Sequence, residues 1–161
     1  MEKIGNYSKE KEQIEKIPAK GIIAGGPAIG KTHFMESQND NIQVSDMDSS
    51  DYRDNPTWPQ NYIADIIKNI DNFELLLIST HPEVVQALRG RGFEVTVVCI
   101  NETEVEYTER LRERGNDEAT IEMFLKNSFK TEDQNRSIFP GGKIIFLPAT
   151  LHLEDILDLD N

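Results

Sequence analysis

The run Gly25-Gly26-Pro27-Ala28-Ile29-Gly30-Lys31-Thr32 is a complete G-x-x-x-x-G-K-[ST] phosphate loop. No other feature constrains the fold as much, because the motif works only between a strand and a helix. Its flanks satisfy that requirement. Lys20-Gly21-Ile22-Ile23-Ala24 is short and apolar, as a buried strand is, and Thr32-His33-Phe34-Met35-Glu36-Ser37 carries no Pro or Gly and can continue as a helix. Glycines let successive backbone N–H groups wrap a phosphate, and the helix N-terminus adds its positive dipole end. In that geometry Lys31 reaches the β- and γ-phosphates and the Thr32 hydroxyl ligates Mg²⁺, so the motif points to ATP as ligand with Mg²⁺ as its cofactor.

The rest of the chain alternates apolar runs with helical patterns. Strands are expected at 20–24, 42–45, 73–78, 93–100 and 143–147. Helical patterns are expected after the loop, over Tyr62, Ile63, Ile66, Ile67 and Ile70, from Pro82 to about Leu88, over 103–114 and 117–130, and at 152–159. Residues 1–18 are charged and end at Pro18, so they read as a helical or frayed extension preceding one domain at 19–161. This alternation specifies an α/β, three-layer phosphate-loop NTPase fold: a parallel five-stranded sheet with helices on both faces. Ligands in such sheets bind beyond the carboxyl ends of the strands, so the residues that follow each strand matter most.

Composition narrows the partners. Seventeen Lys and Arg against 29 Asp and Glu give a formal charge of −12 and a pI near 4.6. Stable binding of long nucleic acid needs a basic surface and is not expected, whereas a local pocket for a single nucleotide is compatible with this charge. Cys99 is the only cysteine, lies in an apolar run and reads as core. No apolar run approaches the ~20 residues of a membrane span, and the chain reads as cytoplasmic.

Four pairs of residues are candidates for chemistry. Asp46 and Asp48 follow the second expected strand, where a carboxylate can orient an acceptor or help hold Mg²⁺; an ordinary acidic loop is the alternative. Leu75-Leu76-Leu77-Ile78 runs into Ser79-Thr80 with no Walker B carboxylate. Arg110 and Arg114 are four apart and share one helix face, where two guanidiniums can clamp a transferring phosphoryl group; a solvated face balanced by Glu106, Glu109 and Glu113 is the other reading. Tyr52 and Trp58 flank the loop that would cover an acceptor base, with stacking on the base or packing in the fold both open. Arg53 and Arg89 are candidates for an acceptor phosphate. His81-Pro82 reads as a helix start rather than a catalytic base.

These segments together carry a resemblance. Gly25 to Thr32, Asp46-x-Asp48-Ser49-Ser50, Trp58-Pro59-Gln60-Asn61-Tyr62-Ile63, Ser79-Thr80-His81 and Glu109-Arg110-x-x-x-Arg114-Gly115-Asn116 resemble a family of phage and prophage phosphate-loop kinases. That family is similar to adenylate and guanylate kinases and is commonly assigned as deoxynucleoside monophosphate kinases. The resemblance covers roughly residues 20–130. It implies a nucleoside monophosphate kinase-like fold with a short lid, transfer of the ATP γ-phosphoryl group to a small nucleotide acceptor, and, for a phage-encoded chain, a place in the host cytoplasm. By position it implies that Gly25 to Thr32 hold the donor, that Asp46 and Asp48 line the acceptor site with Asp46 and Thr32 near the metal, that residues 51–70 bind the acceptor, and that 103–130 form the lid and its following helix, with Arg110 and Arg114 as lid arginines. The chain departs from the family near Val85, where an arginine suited to the acceptor phosphate is expected; Arg89 is the nearest substitute on that helix. The rival readings are a kinase acting on a hydroxyl of a nucleoside or nucleic acid, and a degenerate nucleotide-binding regulator.

Overall fold

The computed structural model describes residues 16–25, 31, 34–35, 42–101, 103–127, 129–148 and 151–158. Its strands are β1 (Ile17–Pro18), β2 (Gly21–Gly25), β3 (Val44–Met47), β4 (Leu75–Ile78), β5 (Val95–Asn101), β6 (Ile144–Pro148) and β7 (Leu157–Asp158). Its helices are α1 (Gln60–Asn69), α2 (Pro82–Gly90), α3 (Glu104–Glu113), α4 (Glu118–Asn127), α5 (Glu132–Ile138) and α6 (Leu153–Ile156); Lys31, Phe34 and Met35 are also helical. Five strands pair in parallel in the order β3-β4-β2-β5-β6.

Alternation of side chains along each strand builds a core on each face of this sheet. Ile22 and Ala24 of β2, Leu76 and Ile78 of β4, and Val95, Val97 and Cys99 of β5 pack with Tyr62, Ile63 and Ile66 of α1 and Val84, Val85 and Leu88 of α2. Ile23, Leu75, Leu77 and Val98 point the other way, against Phe34, Leu151, Leu153 and Ile156. A sheet covered on both faces explains why β4 reads Leu-Leu-Leu-Ile without a polar residue. Each fully buried Leu or Ile stabilises by roughly 1.5–3 kcal/mol. Cys99 is buried as expected, and burial pushes its thiol up to about 11.

Four departures from the sequence reading have physical causes. The second strand begins at Val44 rather than residue 42, in register with Leu75, so Asp46 lies within it, opposite Leu77. An edge strand with one partner tolerates an exposed carboxylate there. Ile17 and Pro18, placed in the extension by sequence, form β1 and pair with Leu157 and Asp158 of β7; Ile17 and Ala19 are buried. The final helix is correspondingly short, ending at Ile156 where β7 begins. Finally, α5 is an additional helix with no buried residue, held at its start by a reciprocal capping box between Thr131 and Gln134.

A separate helical hairpin rises from the carboxyl end of β5. Its two arms, α3 and α4, enclose a small core of Tyr107, Leu111 and Ile121 with Phe124, Leu125 and Phe129 beside it. Gly115 turns the chain between the arms at φ 91°, and Arg112 ties them by bonding Glu118 at 2.9 and 3.2 Å. The segment read as a lid and its following helix is therefore a unit with its own packing. Among the described residues no helix is long and apolar enough to cross a membrane.

Candidate functional site

Strand order fixes where a ligand can sit. From β2 the chain passes to the outer strand β3, returns to β4 beside β2, and then crosses to β5 and β6 on the other side. The carboxyl end of β2 is thus the point of reversal, where an open parallel sheet leaves a crevice. Gly25 ends β2 there, and Lys31, the next described residue, is helical. Gly26, Pro27, Ala28, Ile29, Gly30 and Thr32 lie outside the described residues. Lys31 Nζ donates to the Gly25 carbonyl at 2.9 Å, folding its ammonium back over the start of the loop.

Two carboxylates share this end of the sheet. Asp46 and Asp48 are two apart on extended chain and so project to the same side of β3. Both act electrostatically on Lys31, whose ammonium burial nonetheless holds below the ordinary lysine range. Although Asp46 is exposed as a residue, partial desolvation raises its carboxyl above its usual value, with Lys31 pulling it down and Asp48 adding to the rise. One Asp48 oxygen accepts from the Ser50 N–H at 2.9 Å and caps the short 3-10 turn Ser49–Asp51. The pair offers hard oxygen donors beside a buried cation, the chemistry that suits Mg²⁺ carried in with phosphates.

A chain of side-chain hydrogen bonds continues the β3–β4 seam past its last rung, Met47 opposite Ile78. The Tyr62 hydroxyl donates to the Met47 carbonyl and accepts from the Ser79 N–H at 3.0 Å, bridging the two strand ends. Ser79 Oγ then accepts from the Ser49 N–H at 3.1 Å, and Ser49 Oγ lies 2.8 Å from His81 Nε2. Burial pushes the Tyr62 phenol up to about 12, so it stays protonated and can donate. Burial likewise lowers the His81 imidazole, against Glu83 at 3.8 Å; Arg53 and Lys31 lower it further and Asp48 raises it. In the sequence Tyr62 is one apolar helix position and His81 a helix start. His81 does stand at the helix start, before Pro82, yet its ring also braces Ser49. The Ser49, Ser79 and Tyr62 contacts carry no local pattern by which a sequence could show them.

The aromatic candidates are engaged within the fold. Trp58 stacks on Tyr62 with centroids 5.5 Å apart and meets His81 edge-on at 5.0 Å. Tyr52 packs against Tyr62 and donates to Asp65 Oδ2 at 2.5 Å; that bond pushes its phenol up to about 12. Arg53 is exposed on the same loop and close enough to act on His81. Arg110 is partly buried and Arg114 exposed on the hairpin, and Arg110 acts on Glu106. The charges acting on Lys31, Asp46 and His81 are one another, Asp48, Glu83 and Arg53, so the structure brings the carboxylates and lysine together and leaves the two arginines on the hairpin.

Arg89 is a correction. It sits in the last turn of α2, which starts at the carboxyl end of β4 and returns toward the amino end of the sheet. There its Nη2 donates to the Val95 carbonyl at 2.8 Å and the Lys143 carbonyl at 3.2 Å, at the beginnings of β5 and β6. It ties strand starts together and does not face the acceptor side. A Cβ on Gly142 would fall 2.1 Å from Arg89 Cζ. Gly142→Ala should therefore displace the guanidinium and lose those bonds, lowering unfolding free energy by about 1–3 kcal/mol. Denaturant melts check this, and an Arg89→Leu background should erase most of the difference.

The sheet order, the reversal at β2 and the motif at its end give one result. This is a phosphate-loop fold. No protein-family model matches the chain and no curated protein sequence matches it. Among solved structures, one from the PezAT chromosomal toxin–antitoxin system of the human pathogen Streptococcus pneumoniae is similar over 88% of this chain and 74% of that one, at 15% identity and a TM-score of 0.35. So loose a likeness carries no assignment of activity.

Proposed function

We propose that this chain is a nucleotide kinase that transfers the γ-phosphoryl group of Mg-ATP to a (deoxy)nucleoside monophosphate. The observation that carries the reading is the Lys31 ammonium at the reversal point of the sheet, with Asp46 and Asp48 on one side of β3 acting on it. Gly25 to Thr32 would cradle the donor phosphates, and Thr32 and Asp46 would hold Mg²⁺. When bound, the cation neutralises charge on the phosphates. Lys31 exchanges the Gly25 carbonyl for a phosphate oxygen, which relieves part of the cost of burying its charge. A monophosphate acceptor arrives ionised, so positioning and charge neutralisation suffice and no strong base is required. Asp46 and Asp48 orient acceptor and metal. Arg53 is the cation on the acceptor loop, and Arg110 and Arg114 reach the phosphates only when the hairpin closes over them.

A coupled ADP-release screen over nucleoside monophosphates, nucleosides and hydroxyl-ended oligonucleotides tests this. Turnover is expected with at least one free deoxynucleoside monophosphate, together with negligible retention of long DNA or RNA at physiological salt, given the net charge of −12. Phosphorylation of oligonucleotide ends alone would make Asp46 or Asp48 the base of a hydroxyl kinase. ADP release with none of the acceptors would remove the kinase reading and favour a nucleotide-binding regulator.

A further inference from the structure

Thr80 stands where the sequence offers no Walker B carboxylate, two residues past the last residue of β4. β4 is the strand beside β2, with Ala24 opposite Ile78. Thr80 thus follows that rung by two residues, on the strand adjoining the one that leads into the phosphate loop. Its Oγ1 is buried and has no hydrogen-bond partner among the described residues. A hydroxyl buried without a partner is costly, and native structures retain few of them.

The neighbours of Thr80 make that cost harder to relax. Ser79 is pinned on one side by the Tyr62 hydroxyl at its N–H and by the Ser49 N–H at its Oγ. His81 on the other side is held by Ser49 and packed edge-on against Trp58. The backbone carrying Thr80 is thereby fixed at both ends. His81 also feels the Lys31 charge, which sets this segment within electrostatic reach of the ammonium meant for the terminal phosphates.

We infer that the Thr80 hydroxyl is a binding group for the γ-phosphate of the bound nucleoside triphosphate, donating its hydrogen to a terminal oxygen and so distinguishing triphosphate from diphosphate. The inference rests on the phosphate-loop part of the proposed function and not on the identity of the acceptor. A neutral donor at this place recognises the terminal phosphate without adding negative charge beside Asp46 and Asp48, which a Walker B acid would do.

The test is Thr80→Val, which keeps shape and removes the hydroxyl, with Thr80→Ser as the variant that restores it. Melting temperature is measured without nucleotide, and affinities for Mg-ATP and Mg-ADP are measured by calorimetry on the full chain. Because the hydroxyl has no partner among the described residues, Thr80→Val should melt at or above the wild-type temperature. Its affinity for Mg-ATP should fall about tenfold or more, in line with loss of a hydrogen bond to a charged group, while Mg-ADP affinity is unchanged. Thr80→Ser should recover most of the ATP preference. A lowered melting temperature with an unchanged ATP-to-ADP ratio would make the hydroxyl structural and overturn the inference, as would absence of binding by either nucleotide to the wild type. Triphosphate preference lost in Thr80→Val, in a protein that turns over no acceptor, would uphold the inference while removing the kinase reading.

Discussion

Lys31→Ala is expected to lower turnover at least ~10²-fold, the scale seen when one charge-stabilising donor is taken from a reacting site. Among the described residues Lys31 is the cation that the motif supplies to the β- and γ-phosphates, and its ammonium already lies at the mouth of β2 on the Gly25 carbonyl. Stability should respond differently. Burial depresses the Lys31 pKa, so at neutral pH the folded protein carries a charge it would more readily lose. The unfolded chain holds that proton longer as pH rises toward the ordinary lysine value near 10.5. Between the lowered folded value and 10.5 the unfolded state therefore binds more protons, and wild-type stability rises with pH. Lys31→Met lacks this contribution and should melt at or above wild type near pH 7, its advantage shrinking as the pH is raised. Unchanged Mg-ATP affinity and turnover in Lys31→Ala would reduce the loop to a structural turn.

Several features of this fold were legible because they depend on short-range chemistry. β2, β4 and β5 announce themselves as apolar runs, since a parallel sheet buried on both faces has little use for polar residues there. Tyr62, Ile63 and Ile66 give α1 away by spacing, and all three are buried. Other features rest on facts no local window contains. Arg89 reads as an acceptor ligand until the direction of α2 carries its last turn to the far end of the sheet. The start of β3 is set by its register against Leu75, thirty-one residues later. α5 escapes a reading based on hydrophobic periodicity because none of its residues is buried, although Thr131 and Gln134 hold the capping signature. The pairing of β1 with β7 brings together two-residue segments from the two ends of the described chain, too short to carry a pattern. The place of Asp46 and Asp48 at a strand end was legible. The brace through Tyr62, Ser79 and Ser49 was not, because it is made by hydroxyls whose roles exist only once β3 and β4 lie side by side.

Replacing Asp46 or Asp48 by Asn should preserve the fold and lower turnover by ~10²-fold or more in the variant that removes the group orienting acceptor or metal. The two carboxylates are not equivalent. Asp48 commits one oxygen to the Ser50 N–H and closes the turn held by Ser49, so Asp48→Asn keeps an oxygen for the cap and should perturb stability little. Asp46 stands on the edge strand within electrostatic reach of Lys31, and desolvation raises its pKa. The acid limb of kcat/KM should accordingly lie above the ordinary carboxylate value of 3.8 and should move or vanish in Asp46→Asn. Removing either charge also deprives Lys31 of a stabilising neighbour, so the lysine pKa should fall further in each variant. If Asp46 orients the cation, raising Mg²⁺ should recover part of the lost rate, whereas a base role would leave the loss independent of metal concentration. Full activity in Asp46→Asn, Asp48→Asn and the double variant would sink the assignment, because the charges facing Lys31 would then be an acidic turn with no part in the chemistry.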